Sequence, residues 1–151
     1  MALPAATRTA LGRRWVSALY ESTPGRVRRL LRPRPAKDIP LGSALDADDL
    51  REVEALIGFV DACRKYAGEL ALNEMTLRTF SEVQQYLDAS SHALLDGLRN
   101  AGEGDRRFRQ SQMNAAVRFG GKVFGADYAA TLNKAVELAS AASIERTAKA
   151  S

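Results

Sequence analysis

The sequence predicts an all-α protein, and three observations carry that prediction. Apolar residues recur at spacings of three and four over most of residues 46–148, the period of a helix with one buried side. No stretch alternates apolar and polar residues as a half-buried strand would. The punctuation between stripes is short and polar, as at Asn100-Ala101-Gly102 and Glu103-Gly104-Asp105, which suits direct helix–helix connections. The specific expectation is a three- to four-helix antiparallel bundle over 46–151. An extended basic N-terminal arm, 1–45, precedes it and carries a short amphipathic helix and a proline-rich linker.

Taken in order, residues 7–20 suit a short helix. Thr7 is its N-cap candidate, and Leu11, Trp15, Val16, Ala18 and Leu19 share one side. Ser22-Thr23-Pro24-Gly25 reads as a turn. A second short helical piece is expected over 26–31. Arg32-Pro33-Arg34-Pro35 must then be extended, because each proline biases its predecessor away from helix.

Asp46 can cap the first body helix, with Asp48, Asp49 and Glu52 near its positive end. Leu50, Val53, Leu56, Ile57, Val60, Cys63, Ala67 and Leu70 form its stripe, with Gly68 or Asn73 bending or ending it. Thr79-Phe80-Ser81-Glu82 has the form of a capping box, so the next helix starts there or earlier, near Asn73. Its stripe is Leu77, Phe80, Val83, Leu87, Leu94, Leu95 and Leu98, and Gly102 is the expected left-handed cap. The last third, from Asp105 to about Ala148, has apolar positions at Phe108, Met113, Ala116, Phe119, Val123, Tyr128, Leu132, Val136, Leu138 and Ala142. Gly120-Gly121 interrupts it. Two helix-interior glycines cost about 2 kcal/mol, so a break is expected at that pair.

Charge divides the chain. Residues 1–37 hold nine Lys/Arg and one acid, Glu21, while the remainder holds 13 bases and 17 acids. A basic tail on a mildly acidic body is a common layout for binding an anionic partner. The single cysteine, Cys63, excludes an internal disulfide. No apolar run reaches the roughly 20 residues that span a bilayer, and Arg13-Arg14 interrupt any secretory h-region. The Arg-rich, acid-poor start has the composition of a mitochondrial presequence.

No chemistry stands out. Helical two-metal sites use Glu-x-x-His pairs, and this chain has one histidine, His92, with no acid three residues to either side. Gly120-Gly121-Lys122 lacks the first glycine, the Ser/Thr and the preceding strand of a phosphate loop. Ser90-Ser91-His92 are helix neighbours that face different directions and form no triad. The expectation is a non-enzyme with no cofactor and no metal.

The arm is where function is expected. Arg26, Arg28, Arg29, Arg32 and Arg34 supply cationic forks for carboxylate or phosphate. Trp15 and Tyr20 are the candidate aromatic anchors. Ala18-Leu19-Tyr20-Glu21 followed by Pro24 resembles the start of the small helical mitochondrial proteins with a Leu-Tyr-Arg motif, with Glu21 where that motif carries arginine. The alanine-rich helices with Phe and Gln are similar in composition to the phasins that coat polymer granules. Neither resemblance transfers a residue role.

The expected function is therefore a non-catalytic accessory subunit of a larger multiprotein assembly, bound to other protein subunits through the arm. The assembly is expected to be a mitochondrial membrane complex of the respiratory or ATP synthase type, with the protein peripheral to the inner membrane. Contact with anionic, cardiolipin-like lipid suits the same arm. Two other readings stand beside it: an RNA-binding subunit of a ribonucleoprotein such as an organellar ribosome, and a helical protein of a membrane or granule surface. In a bacterium the expected location is cytoplasmic.

Overall fold

A computed structural model describes residues 18–19, 21–33, 39–65 and 73–151. The described residues contain five helices and no strand: α1 (21–30), α2 (Ala47–Lys65), α3 (Asn73–Arg99), α4 (Arg106–Phe124) and α5 (Ala126–Ala150). The last three pack on one another, and α2 packs on α3 and α4. One buried cluster joins all five, including Leu31, Ile57, Leu94, Phe119 and Val136.

Helix α2 starts as its sequence demands. Asp46 Oδ1 accepts from the backbone N–H of Asp48 at 2.9 Å and Asp49 at 3.0 Å, two of the donors a helix start leaves unpaired. Val53, Ile57, Val60 and Cys63 are its buried stripe. Ala67, Gly68 and Leu70 lie outside the described residues. Helix α3 begins at Asn73, so Thr79 is not a cap. Thr76 and Thr79 are buried one and two turns into the helix, and tertiary packing outranks the local capping signal. At its other end Gly102 does not adopt a positive φ. The carbonyl of the preceding residue, Ala101, instead accepts from Ser143 Oγ at 2.8 Å and from Arg146 Nη2 at 3.2 Å, both on α5.

Gly120-Gly121 does not break its helix, which runs on to Phe124. The pair is there for approach rather than for a turn. A Cβ on Gly120 would stand 2.6 Å from Cε1 of Tyr128, and one on Gly121 would stand 3.3 Å from the Ala129 Cβ. The turn falls at Gly125, whose φ of 102° and ψ of 175° are open to glycine almost alone. One residue thus separates α4 from α5, and the bare glycine face lets the two helices close. Two expected stripe residues point outward instead: Leu77 is 51% exposed and Leu138 is 74% exposed.

The largest departure from expectation lies in the basic segment. Residues 21–30 are helical through Ser22-Thr23-Pro24-Gly25, where a turn is expected. Ser22 Oγ and Thr23 Oγ1 both donate to the Leu19 carbonyl, at 3.0 and 2.8 Å, so their hydroxyls serve the helix rather than a turn. Val27, Leu30 and Leu31 are buried in the common core. Burying each contributes about 1.5–3 kcal/mol, which together outweighs the roughly 3 kcal/mol penalty of a helix-interior proline. The helical piece expected over 26–31 is thus present over 26–30, and it packs on the body. Its end is fastened there.

Gln112 does much of the fastening. It is 1% exposed, and its Nε2 donates to the carbonyls of Leu30 at 3.2 Å and Arg32 at 2.9 Å. These are carbonyls that the end of α1 leaves without helical partners. Residues just before α2 are fastened to the α3–α4 connection and to α4: Gly42 N donates to the Gly104 carbonyl at 3.1 Å, and Leu45 N to Ser111 Oγ at 3.0 Å.

Candidate functional site

Four of the seven expected partner-binding residues can be placed. Trp15, Tyr20 and Arg34 lie outside the described residues. Because α1 buries Val27, Leu30 and Leu31, its remaining positions, Arg26, Arg28 and Arg29, are turned away from the core, with Arg32 just beyond its end. The structure gives them two kinds of surroundings. Arg26 forms an ion pair with Glu52 of α2. Arg28 lies 3.9 Å from Glu82 of α3 and 5.7 Å from the centre of the Tyr86 ring. Ion pairs this exposed contribute about 0–1 kcal/mol each, so they orient α1 more than they hold it. Arg29 and Arg32 are exposed and have no carboxylate partner among the described residues.

Tyr86 is the hinge between this surface and the core. Its hydroxyl donates to the Leu31 carbonyl at 3.2 Å. Burial pushes its pKa above the usual 10.0, while Arg28 and Arg32 act in the opposite sense by stabilising a phenolate. The side chain is thus a neutral donor with the Arg28 guanidinium over its ring.

A second group of arginines was not singled out by sequence reasoning. Arg106, Arg107 and Arg109 crowd the first turn of α4, which contains no acid. Positive charge there opposes the helix dipole by about 0.3–1 kcal/mol per residue, and that local conflict was the available signal. Each of the three reaches a neutral acceptor. Arg106 donates to Ser143 Oγ at 3.0 Å and Thr147 Oγ1 at 2.6 Å on α5. Arg107 donates to the Gly42 carbonyl at 3.1 Å, and Arg109 to the Pro33 carbonyl at 2.7 Å. Arg109 crosses α3 at Gly97, where a Cβ would stand 3.2 Å from its Nη1. These arginines tie the end of α1, its connection and α5 together without neutralising their charge. Arg106 and Arg107 line an open cleft of about 500 Å³ with Gln110, Asn114 and Ser140, and Glu103 is its acid.

The described residues gather little that could perform a reaction. Ser91 Oγ donates to the backbone carbonyl of Asp88 at 3.0 Å, and His92 is exposed on the same helix. Cys63 is buried. Among the described residues no three His, Cys, Asp or Glu side chains are grouped to hold a metal ion, and no helix is long and apolar enough to cross a membrane. The arrangement offers planar cationic donors, fixed on a packed helix, to carboxylate or phosphate groups.

No protein-family model, curated protein or solved structure matches this chain.

Proposed function

We propose that the protein is a non-catalytic helical subunit of a larger assembly, seated through the outward arginines of α1 and the residues that follow it. The observation that carries this reading is the contrast within one short helix. Its inner side is part of the core, and Arg29 and Arg32 stand outside with no carboxylate partner among the described residues. A guanidinium on an ordered backbone loses less freedom on docking than one on a loose tail. Arginine forks also favour the paired oxygens of carboxylate or phosphate. The acid-poor composition of residues 1–37 supports placing that assembly at a mitochondrial membrane, in a respiratory or ATP synthase type of complex.

The test is native extraction in mild detergent with the wild-type chain and the Arg29→Glu/Arg32→Glu variant, each run with and without nuclease. The wild-type chain is expected to migrate with a large complex that resists nuclease. The variant, folded by circular dichroism, is expected to run free. A complex that collapses on nuclease treatment would move these arginines onto RNA. A wild-type chain that runs free in the native extract would refute the subunit reading.

A further inference from the structure

Helix α5 has one buried side and one exposed side. Its inner side buries Leu132, Val136, Ala139 and Ser143. On the opposite side Thr131, Lys134, Leu138, Ala141, Glu145 and Ala148 are all exposed, and Leu138 is 74% exposed. Their spacing alternates three and four, the a/d spacing of a coiled coil, with Leu138 the one large apolar side chain among them. At 1.5 Å per residue the seam is about 26 Å long. Some exposed charges on α2, α3 and α4 pair with neighbours, as Arg64 does with Asp61, Arg99 with Asp96 and Arg118 with Glu54. Among the described residues no ion pair involves α5, so Lys134 and Glu145 stand on the seam uncompensated.

We propose that this face pairs with the same face of a second copy, antiparallel, about a two-fold axis between Leu138 and Ala141. In that arrangement Leu138 meets the partner's Ala141, Lys134 meets the partner's Glu145, and Thr131 meets the partner's Ala148. Each layer joins an a position to a d position, as antiparallel seams require, and the two-fold repeats every contact. The charges select this register. Parallel pairing sets lysine against lysine and glutamate against glutamate. A shift of one heptad either sets Leu138 on the partner's Lys134 or sets Glu145 on the partner's Ala141. Only the proposed register gives each charge its opposite while keeping the exposed leucine on an apolar partner. A patch this short makes a weak dimer, of about micromolar dissociation constant or weaker.

The test is sedimentation of the full-length chain from micromolar to near-millimolar concentration. A monomer–dimer equilibrium is expected. Leu138→Glu should weaken it about tenfold or more, and so should Lys134→Glu or Glu145→Lys alone. The combined Lys134→Glu/Glu145→Lys chain, in which both signs are exchanged, should dimerise like the wild type. All these positions are exposed, so each variant should unfold at the wild-type temperature. A chain that stays monomeric throughout overturns the proposal. So does a dimer that ignores Leu138→Glu, or a double variant no better than the single ones.

Discussion

Replacing Gln112 by leucine would separate the basic helix from the body. The two side chains are similar in bulk, so the change tests the hydrogen bonds rather than a cavity. Gln112 Nε2 makes one fully buried bond, to the Leu30 carbonyl at 3.2 Å, and one partly buried bond, to the Arg32 carbonyl at 2.9 Å. Taking the donor from a buried acceptor costs about 1–3 kcal/mol. At the wetter Arg32 carbonyl water replaces part of the loss, leaving about 0.5 kcal/mol. The leucine recovers some of this through its greater transfer free energy, about 1 kcal/mol. The net expectation is about 1.5 kcal/mol of destabilisation, or about 3–6 °C in Tm for a chain of this size. Position also matters: the end of α1 should open before the rest unfolds. Trypsin supplies that readout, because Arg26, Arg28 and Arg29 all precede cleavable bonds in α1, whereas Arg32 precedes proline. Cleavage after Arg28 and Arg29, followed by mass spectrometry, should accelerate in Gln112→Leu well beyond the acceleration at Arg64 on α2. A variant with unchanged Tm and unchanged cleavage would show that Gln112 does not hold α1, and the packed-helix description would fail with it.

Three further outcomes follow from the same contacts. Gly120→Ala gains about 1 kcal/mol of helix propensity but sets a methyl 2.6 Å from a Tyr128 ring already stacked at 4.5 Å on Phe124. A net loss of about 1–2 kcal/mol is expected, largely relieved when Tyr128→Ala is added, as a double-mutant cycle in urea would record. Asp46→Ala removes both N-cap bonds of α2 and should cost about 1 kcal/mol in the same assay. Because the folded-state pKa of Tyr86 is raised by burial, its contribution to stability is complete below the unfolded value near 10 and is lost as pH rises through the folded one. Denaturation midpoints should therefore fall more steeply above pH 10 in wild type than in Tyr86→Phe. Arg28→Gln should delay phenolate absorbance further.

The helices were legible where local chemistry and burial agree. Asp46 caps α2 as its type suggests, and Val53, Ile57, Val60 and Cys63 line its buried side at helical spacing. The same holds for Val83, Leu87, Leu94 and Leu98 on α3. Reading failed where a residue's role depends on something distant in sequence. Gly120 looks like a helix breaker until Tyr128 packs against it. Thr79 looks like a cap until its burial is seen, and Ser22-Thr23-Pro24-Gly25 looks like a turn until the core takes Val27, Leu30 and Leu31. Gln112 and Leu30 are 82 positions apart, and no local pattern announces their bond. For the candidate site the sequence marked Arg26, Arg28, Arg29 and Arg32 and a helical piece over 26–31, but not the burial of Val27, Leu30 and Leu31 that docks this helix on the body. The triplet Arg106, Arg107 and Arg109 was visible only as a conflict with the helix dipole.

The central claim is that Arg29 on α1 and Arg32 just beyond its end point outward as a docking surface. Its most direct test is a photo-crosslinking residue placed at position 25, exposed one helical turn before Arg29 with open space around it, in the full-length chain in its native source, with position 74, exposed at the start of α3, as the control. The expected result is one defined protein adduct from position 25, absent at position 74 and abolished by Arg29→Glu/Arg32→Glu. No adduct at position 25, or one that survives Arg29→Glu/Arg32→Glu unchanged, would contradict it.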